Sequence, residues 1–142
     1  MIFSKSCEYA LRSVIYICTK SNEGINLSVK EIAAEIESPE PFTAKILQQL
    51  ARQKIISSIK GPNGGFYIEK QNKPVTIYQI VEAIEGPDFF DRCVLGLKNC
   101  SERKPCPLHN DFIQHRKEIK ELFKTKTISD LILNQKGKIN LK

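Results

Sequence analysis

Apolar residues recur at three- and four-residue steps from Cys7 through Leu11, Val14, Ile15 and Cys18, the spacing of an amphipathic helix. The stripe predicts a first helix from Ser4 or Ser6 to Lys20, and Tyr9, Ala10, Tyr16 and Ile17 widen it beyond one face. Such a helix is covered on two sides. Asn22 to Asn26, with Gly24, closes it as a turn, and Cys7 and Cys18 read as core residues on its apolar face.

Ser28 and Glu31 then stand at capping-box spacing and open a short helix buried through Ile32, Ala33 and Ile36, which Ser38-Pro39 ends. Pro41 starts another helix, since proline at the first helical position loses no needed hydrogen bond. Its inner face is Phe42, Ile46, Leu47 and Leu50; Thr43, Lys45, Gln48, Gln49 and Arg52 are left outside. Two short helices around a tight turn, the second presenting small polar and cationic residues, read as a helix-turn-helix. After Lys54 the period becomes extended: Ile55–Lys60 and Phe66–Ile68 are rich in β-formers and flank Gly61-Pro62-Asn63-Gly64-Gly65. A hairpin with a glycine-rich tip follows. Together these elements predict a winged helix-turn-helix, mainly α with a small β-hairpin wing.

Thr76 and Gln79 form a second capping-box pair, opening a helix through Ile77, Ile80, Val81 and Ile84 that stops at Gly86. Pro87 and Phe89-Phe90 lead into a cysteine-rich loop, beyond which Phe112, Ile113, Ile119, Leu122 and Phe123 predict a helix from Asn110 to Lys124. Thr127 caps a last one through Leu131, Ile132 and Leu133. The post-loop helix has an apolar side and no further domain to pack on, so a homodimer seam is expected there and along part of the first helix. The expected organisation is a DNA-binding winged helix over 1–86, a cysteine-rich loop over 87–109, a C-terminal dimerisation helix with a short terminal helix over 110–134, and a flexible tail over 135–142.

Composition adds bounds. The chain of 142 residues is 41% hydrophobic and 27% charged, ordinary globular material for one domain with an appended element. It has no run of 18 apolar residues, and its apolar N-terminal stretch is broken by Glu8 and Arg12, unlike a secretory signal. With unpaired cysteines and no export signal, the expected home is the reducing cytoplasm, with no membrane partner. The net charge of +6 is unevenly spread: residues 21–40 hold five glutamates against Lys30, whereas residues 41–68 hold Lys45, Arg52, Lys54 and Lys60 and no carboxylate. A carboxylate-free span over the helix and wing is an electrostatic footprint for nucleic acid. Thr43, Lys45, Gln48 and Arg52 are the expected contacts of the helix, and Lys60, Asn63 and Gly64 those of the wing. No catalytic constellation competes: Asp111 with His115 is ordinary helical spacing, and an enzyme is not expected.

Residues 91–109 concentrate three of the five cysteines and one of the two histidines, as C-x6-C, C-x5-C and C-x2-H. Gly96, Asn99, Pro105 and Pro107 favour loop there, so the thiols can converge. Soft sulfur donors select zinc, Cu(I) or an iron–sulfur cluster. Cys93, Cys100, Cys106 and His109 are also an acceptable tetrahedral zinc set, and a thiol-only redox switch uses the same residues. An odd cysteine count argues against a disulfide framework.

The chain resembles the IscR/NsrR-type (Rrf-two) family of winged-helix iron–sulfur transcriptional regulators over nearly its full length. The match rests on Glu8-Tyr9-Ala10-Leu11-Arg12, Glu31-Ile32-Ala33, the wing from Lys60 to Phe66, Ile80-Val81-Glu82-Ala83-Ile84-Glu85-Gly86, the three cysteines, and Thr127-Ile128-Ser129-Asp130-Leu131. The resemblance implies a homodimer on a pseudo-palindromic double-stranded operator, repression as the expected sense, and one [2Fe-2S] or [4Fe-4S] cluster per subunit on Cys93, Cys100 and Cys106, sensing nitric oxide, redox state or iron–sulfur status. For the fourth ligand it offers His109, or Glu8 of the partner subunit. The first spacing, C-x6-C, departs from the C-x5-C of many members. The alternatives to this reading are a winged-helix regulator with structural zinc or a thiol switch, and a small electron-transfer protein.

Overall fold

A computed structural model describes residues 3–70 and 73–142. Helix α1 (Lys5–Asn22) is the spine, with Ser4 as its N-cap accepting the Cys7 N–H at 3.2 Å. Cys7, Ala10, Val14, Ile17 and Cys18 form its buried stripe, and α1 packs on four other helices and the wing. The stripe is wider than one face because the helix is surrounded, as its sequence predicts.

Helices α2 (Val29–Ile36) and α3 (Glu40–Arg52) make the helix-turn-helix. Ser28 caps α2 by accepting the Glu31 N–H, but the Glu31 carboxylate takes the Ser28 hydroxyl at 3.2 Å and not its backbone N–H, so the capping box is half formed. Pro39 and Pro41 straddle the start of α3, which begins one residue before Pro41. Thr43 is not outside: it is 0% exposed, and its hydroxyl donates to the Pro39 carbonyl at 2.9 Å and meets the Ser38 hydroxyl. The physical reason is helical register. Positions 43, 46, 47 and 50 are one stripe, and a threonine can sit in it because its hydroxyl is satisfied one turn back. Gln49 also turns inward, donating to the Ala83 carbonyl at 2.9 Å.

Strands β1 (Ser57–Ile59) and β2 (Gly65–Tyr67) pair antiparallel in the register Ser58 opposite Phe66, shorter than the extended runs of sequence predict because Ile55 and Ile56 enter the core first. Leu27 adds a bridge, exchanging backbone bonds with Phe66 at 2.7 and 3.0 Å. This close approach demands a glycine beside it: Gly65 lies at φ 142°, and a Cβ there would sit 2.6 Å from the Leu27 carbonyl oxygen.

Helix α4 (Ile77–Glu85) carries the complete Thr76/Gln79 capping box and ends at Gly86. A single 3-10 turn over Phe89–Asp91 precedes the cysteine loop, and α5 (His109–Thr125) and α6 (Ile128–Leu133) close the fold, α6 behind a complete Thr127/Asp130 box. The starts of α4 and α6 are joined by a bridge between Thr76 and Thr127. The C-terminal segment is not a frayed end. Leu141 is 7% exposed against the core, while Lys138 and Lys142 lie 4.0 and 3.9 Å from Glu35 and Glu37. Alternation of Ile139 and Leu141 with flanking lysines is the pattern of an extended strap with one face buried. Among the described residues no helix is long and apolar enough to cross a membrane.

The inward setting of Thr43 gives a clear expectation. Thr43→Val keeps its shape but strips the hydroxyl from a buried network, and costs about 1 kcal/mol of stability. Urea unfolding should show a lower midpoint with an unchanged slope, while DNA affinity at a stability-permissive temperature stays within about twofold of wild type. A large loss of DNA affinity without a midpoint shift would return Thr43 to the outer face.

Candidate metal centre and nucleic-acid interface

The thiols are positioned by an aromatic anchor. Phe90, 2% exposed, stacks on Tyr78 of α4 at 5.2 Å and meets Phe123 of α5 edge-on at 5.7 Å. Phe89 packs on Phe90 and on Phe3. The loop therefore leaves the core at a fixed point, two residues before Arg92-Cys93. It folds by local turns: Gly96 N–H to the Cys93 carbonyl at 2.9 Å, reciprocal bonds between Ser101 and Lys104, and His109 N–H to the Cys106 carbonyl at 3.0 Å.

These turns bring Cys93, Cys100 and Cys106 together, with their three sulfurs all within 4.8 Å of one another. Cys93 and Cys106 are 3.6 Å apart, and the Cys106 N–H points at the Cys100 sulfur at 3.4 Å. His109, 9% exposed and the first residue of α5, sets its Nδ1 3.2 Å from the Cys100 sulfur. Its Nε2 is buried with no hydrogen-bond partner. Glu8 stands apart from this group in the single chain, on α1, with its carboxylate 3.0 Å from Lys5 and 3.6 Å from Arg12.

Cys93 and Cys106 differ electrostatically. The Leu97 backbone N–H, then that of Leu95 and the neighbouring thiols, bring the Cys93 thiol down to about 7. Burial pushes Cys106 up, reinforced by the adjacent Cys93 and Cys100. Cys93 thus ionises ahead of Cys106. Three close sulfurs beside a half-used imidazole can bind a metal, and soft donors of this kind fit zinc or an iron–sulfur cluster. Cys7 and Cys18 are buried in the core away from this group, and burial raises the Cys7 thiol to about 12, which suits a packing role.

The other candidate surface is the outer side of α3 and the wing. Lys45, Gln48 and Arg52 are exposed on α3, and Lys60 and Asn63 are exposed on the wing, with Gly64 half-buried beside them. Thr43 is withdrawn from that surface by the register described above. Asn63 is further tied to the body through its carbonyl, which accepts from Asn26 at 3.4 Å. Sequence reasoning missed the inward role of Gln49 and the pairing of Gln53 with it; both donate to the Ala83 carbonyl, at 2.9 and 3.0 Å. The signal was present in Gly86-Pro87, which strips the last turn of α4 of a donor.

Comparison with known proteins agrees with this architecture. A family model described as an iron-dependent transcriptional regulator, Rrf2, matches residues 3–134. A helix-turn-helix-type transcriptional regulator assigned in Aquifex aeolicus is 35% identical over 134 residues, covering 93% of this chain and 92% of its own length. The regulator NsrR of Bacillus licheniformis is 27% identical over 130 residues and 90% of each chain. Among solved structures, CymR, the global cysteine regulator of B. subtilis, superposes with a TM-score of 0.76 at 24% identity, covering 96% of this chain and 99% of that one. IscR of T. potens gives 0.73 at 18% identity, with 97% and 93% covered. The two structures share the winged-helix fold, and the relatives are transcriptional regulators and not enzymes or electron carriers. The chain belongs to the Rrf2 family of transcriptional regulators.

Proposed function

We propose that the chain is a homodimeric, cytoplasmic DNA-binding repressor whose operator affinity follows the state of an iron–sulfur cluster held by Cys93, Cys100, Cys106 and His109. The observation that carries this reading is the convergence of three thiols beside a buried histidine with an unpartnered nitrogen. The names of relatives add support: an iron-dependent family description and the likeness to NsrR. Glu8 of the partner subunit is the competing fourth ligand. When bound, such a cluster supplies a redox-active centre whose potential depends on its ligands and burial.

The chain's own part is to convert ligation into loop order. With its sulfurs tied together the loop is cross-linked at three points; with free thiols it is held by its local turns, the Phe90 anchor and the bonds of Arg92. On the DNA side, two copies would set their α3 helices about 34 Å apart, one turn of B-DNA, for a pseudo-palindromic site. Gln48 can pair with adenine in the major groove, while Lys45, Arg52 and Lys60 neutralise phosphates and the Asn63-Gly64 tip follows the backbone. A differential of about 1.4 kcal/mol between loop states changes operator occupancy tenfold.

Anaerobic purification followed by iron, sulfide and zinc content with the visible spectrum tests the cofactor. Equal iron and sulfide support the cluster; stoichiometric zinc in a colourless protein replaces it with a structural site. Cys100→Ala should lose the iron and, with it, any difference in DNA affinity between loaded and metal-free protein.

If each subunit neutralises three phosphates, log affinity should fall against log salt with a slope of about −5. Lys45→Ala should make that slope shallower by about 2 for its two copies. A slope near zero ends the DNA reading. In metal-free protein, alkylation of Cys93 by iodoacetamide should rise as pH increases through about 7 and level off above it, because the thiolate is the nucleophile. Cys106 should lag. Peptide mass spectrometry checks this, and a Cys93 midpoint at the ordinary thiol value would remove the asymmetry.

A further inference from the structure

The last turn of α4 has a hydrogen-bonding problem that its neighbours solve. In a helix the carbonyl of Ala83 takes the N–H of residue 87, but that residue is Pro87, which has none. Ala83 is only 6% exposed, so the oxygen is removed from most solvent. Two side chains fill the gap, Nε2 of Gln49 in α3 at 2.9 Å and Nε2 of Gln53, the C-cap of that helix, at 3.0 Å. These glutamines are one helical turn apart. Each immediately follows an exposed residue of the proposed DNA surface, Gln48 and Arg52.

Two residues further along α4, the carbonyl of Glu85 is taken by Arg92 Nη2 at 2.7 Å. The same guanidinium grips Asp88 through two contacts, Nη2 at 2.8 Å and Nε at 3.2 Å, and Arg92 is the residue before Cys93. Gly86, at φ 99°, makes the approach possible: a Cβ there would press on Arg92 Nη2 and Asp88 Oδ1 at 3.3 Å each. The backbone of Arg92 is itself held, its carbonyl accepting from Arg116 of α5 at 2.9 Å. The Glu85 carboxylate meanwhile accepts the Ser4 N–H and hydroxyl at 2.8 and 2.6 Å, tying the start of α1 to the same turn.

We propose that the turn Ala83–Gly86 is the joint connecting the cysteine loop to the recognition helix, with Arg92, Gln49 and Gln53 as its positioning residues. A displacement of Cys93 moves Arg92, which is bonded to the Glu85 carbonyl. The turn is a rigid unit of helix, so the Ala83 carbonyl moves with it and takes both glutamines along. Rotation of α3 by those two handles re-aims Gln48 and Arg52, which lie on the adjoining positions. The proposal rests on the reading that loop state controls DNA affinity. The link between loop and α3 is nevertheless a property of the protein alone and is testable without metal or DNA.

Arg92→Met, Gln49→Met/Gln53→Met and their combination remove the two ends of the joint while keeping side-chain bulk. In metal-free full-length protein, hydrogen exchange of Arg92→Met should quicken at least threefold over residues 49–53 as well as 86–96, and Arg92→Lys should restore part of that protection. A change confined to residues 86–96 overturns the joint, whatever the cofactor proves to be. The second measurement is the ratio of DNA affinities of loaded and metal-free protein, on a duplex selected from a random library by wild type. Each variant should bring the ratio at least fivefold closer to one, with iron content unchanged, and the combined variant should go no further than either parent. Ratios within twofold of wild type, or losses that multiply in the combination, overturn it. If wild type itself shows no ratio, the metal-sensing reading fails and the exchange result alone decides the joint.

Discussion

The position of every sulfur in the candidate centre depends on the burial of one aromatic ring. Phe90 lies between Tyr78 of α4 and Phe123 of α5, and Phe89 extends the cluster to Phe3 beside the start of α1. Ring pairs at these separations contribute about 0.5–1.5 kcal/mol beyond the area they bury. Their larger effect is geometric. The loop from Arg92 to Leu108 has no helix or strand of its own and no continuous backbone ladder to fix it. Its two ends are set, one by the phenylalanine pair and the other by the first turn of α5, and because α5 is also held by Phe90 the ends are set relative to each other. Thiols 7 and 13 residues along from Cys93 can then meet with a few local turns.

The same economy governs the helix-turn-helix. The α2–α3 turn leaves α3 packed through Ile46, Leu47 and Leu50, apolar contacts that resist separation but resist rotation and sliding weakly. Directional bonds supply what packing lacks. The Thr43 hydroxyl is satisfied within the first turn of α3, while Gln49 and Gln53 tie its last turn to α4. Those two bonds specify the azimuth of the helix, and with it which residues face outward. Lys45, Gln48 and Arg52 form a clean polar and cationic surface because their polar neighbours Thr43 and Gln49 are occupied within the fold.

Much of this was legible in the sequence, for physical reasons that can be named. The Thr76/Gln79 pair declares a helix start through purely local bonding, and both of its halves are present. The width of the α1 stripe announced cover on two sides. The cysteine spacing and the loop-forming residues around it point to convergence. What failed to show was set by distant partners or by exceptions to polarity. Thr43 reads as an outer residue because a hydroxyl is polar, although 43, 46, 47 and 50 share one face and the hydroxyl bonds within its own turn. Gln49 depends on a carbonyl 34 residues away, orphaned by a proline, which no periodicity of α3 contains. The strap at Ile139 and Leu141 was hidden by its lysines, whose partners Glu35 and Glu37 lie on α2 and the turn that follows it. Glu31 shows the reverse case, a correctly spaced pair whose reciprocal bond is replaced by a hydroxyl contact.

The division of order within the molecule bears on what a signal could act upon. The winged helix has a continuous core running from Cys7 through Leu47 to Ile80, and none of the three loop thiols belongs to it. The loop has none: Leu95 and Leu97 are about half exposed, and the thiols are its main inward-facing groups. Cys93 and Cys106 ionise unequally, the first favoured chiefly by the Leu97 N–H and the second disfavoured chiefly by burial. On the proposed reading a bound metal would balance the thiolate charge and cross-link the loop at once, making loop order conditional while core order is not. A conditional element fastened by Arg92 to an unconditional body is the arrangement in which a small change in ligation can be felt at a distance without unfolding the protein.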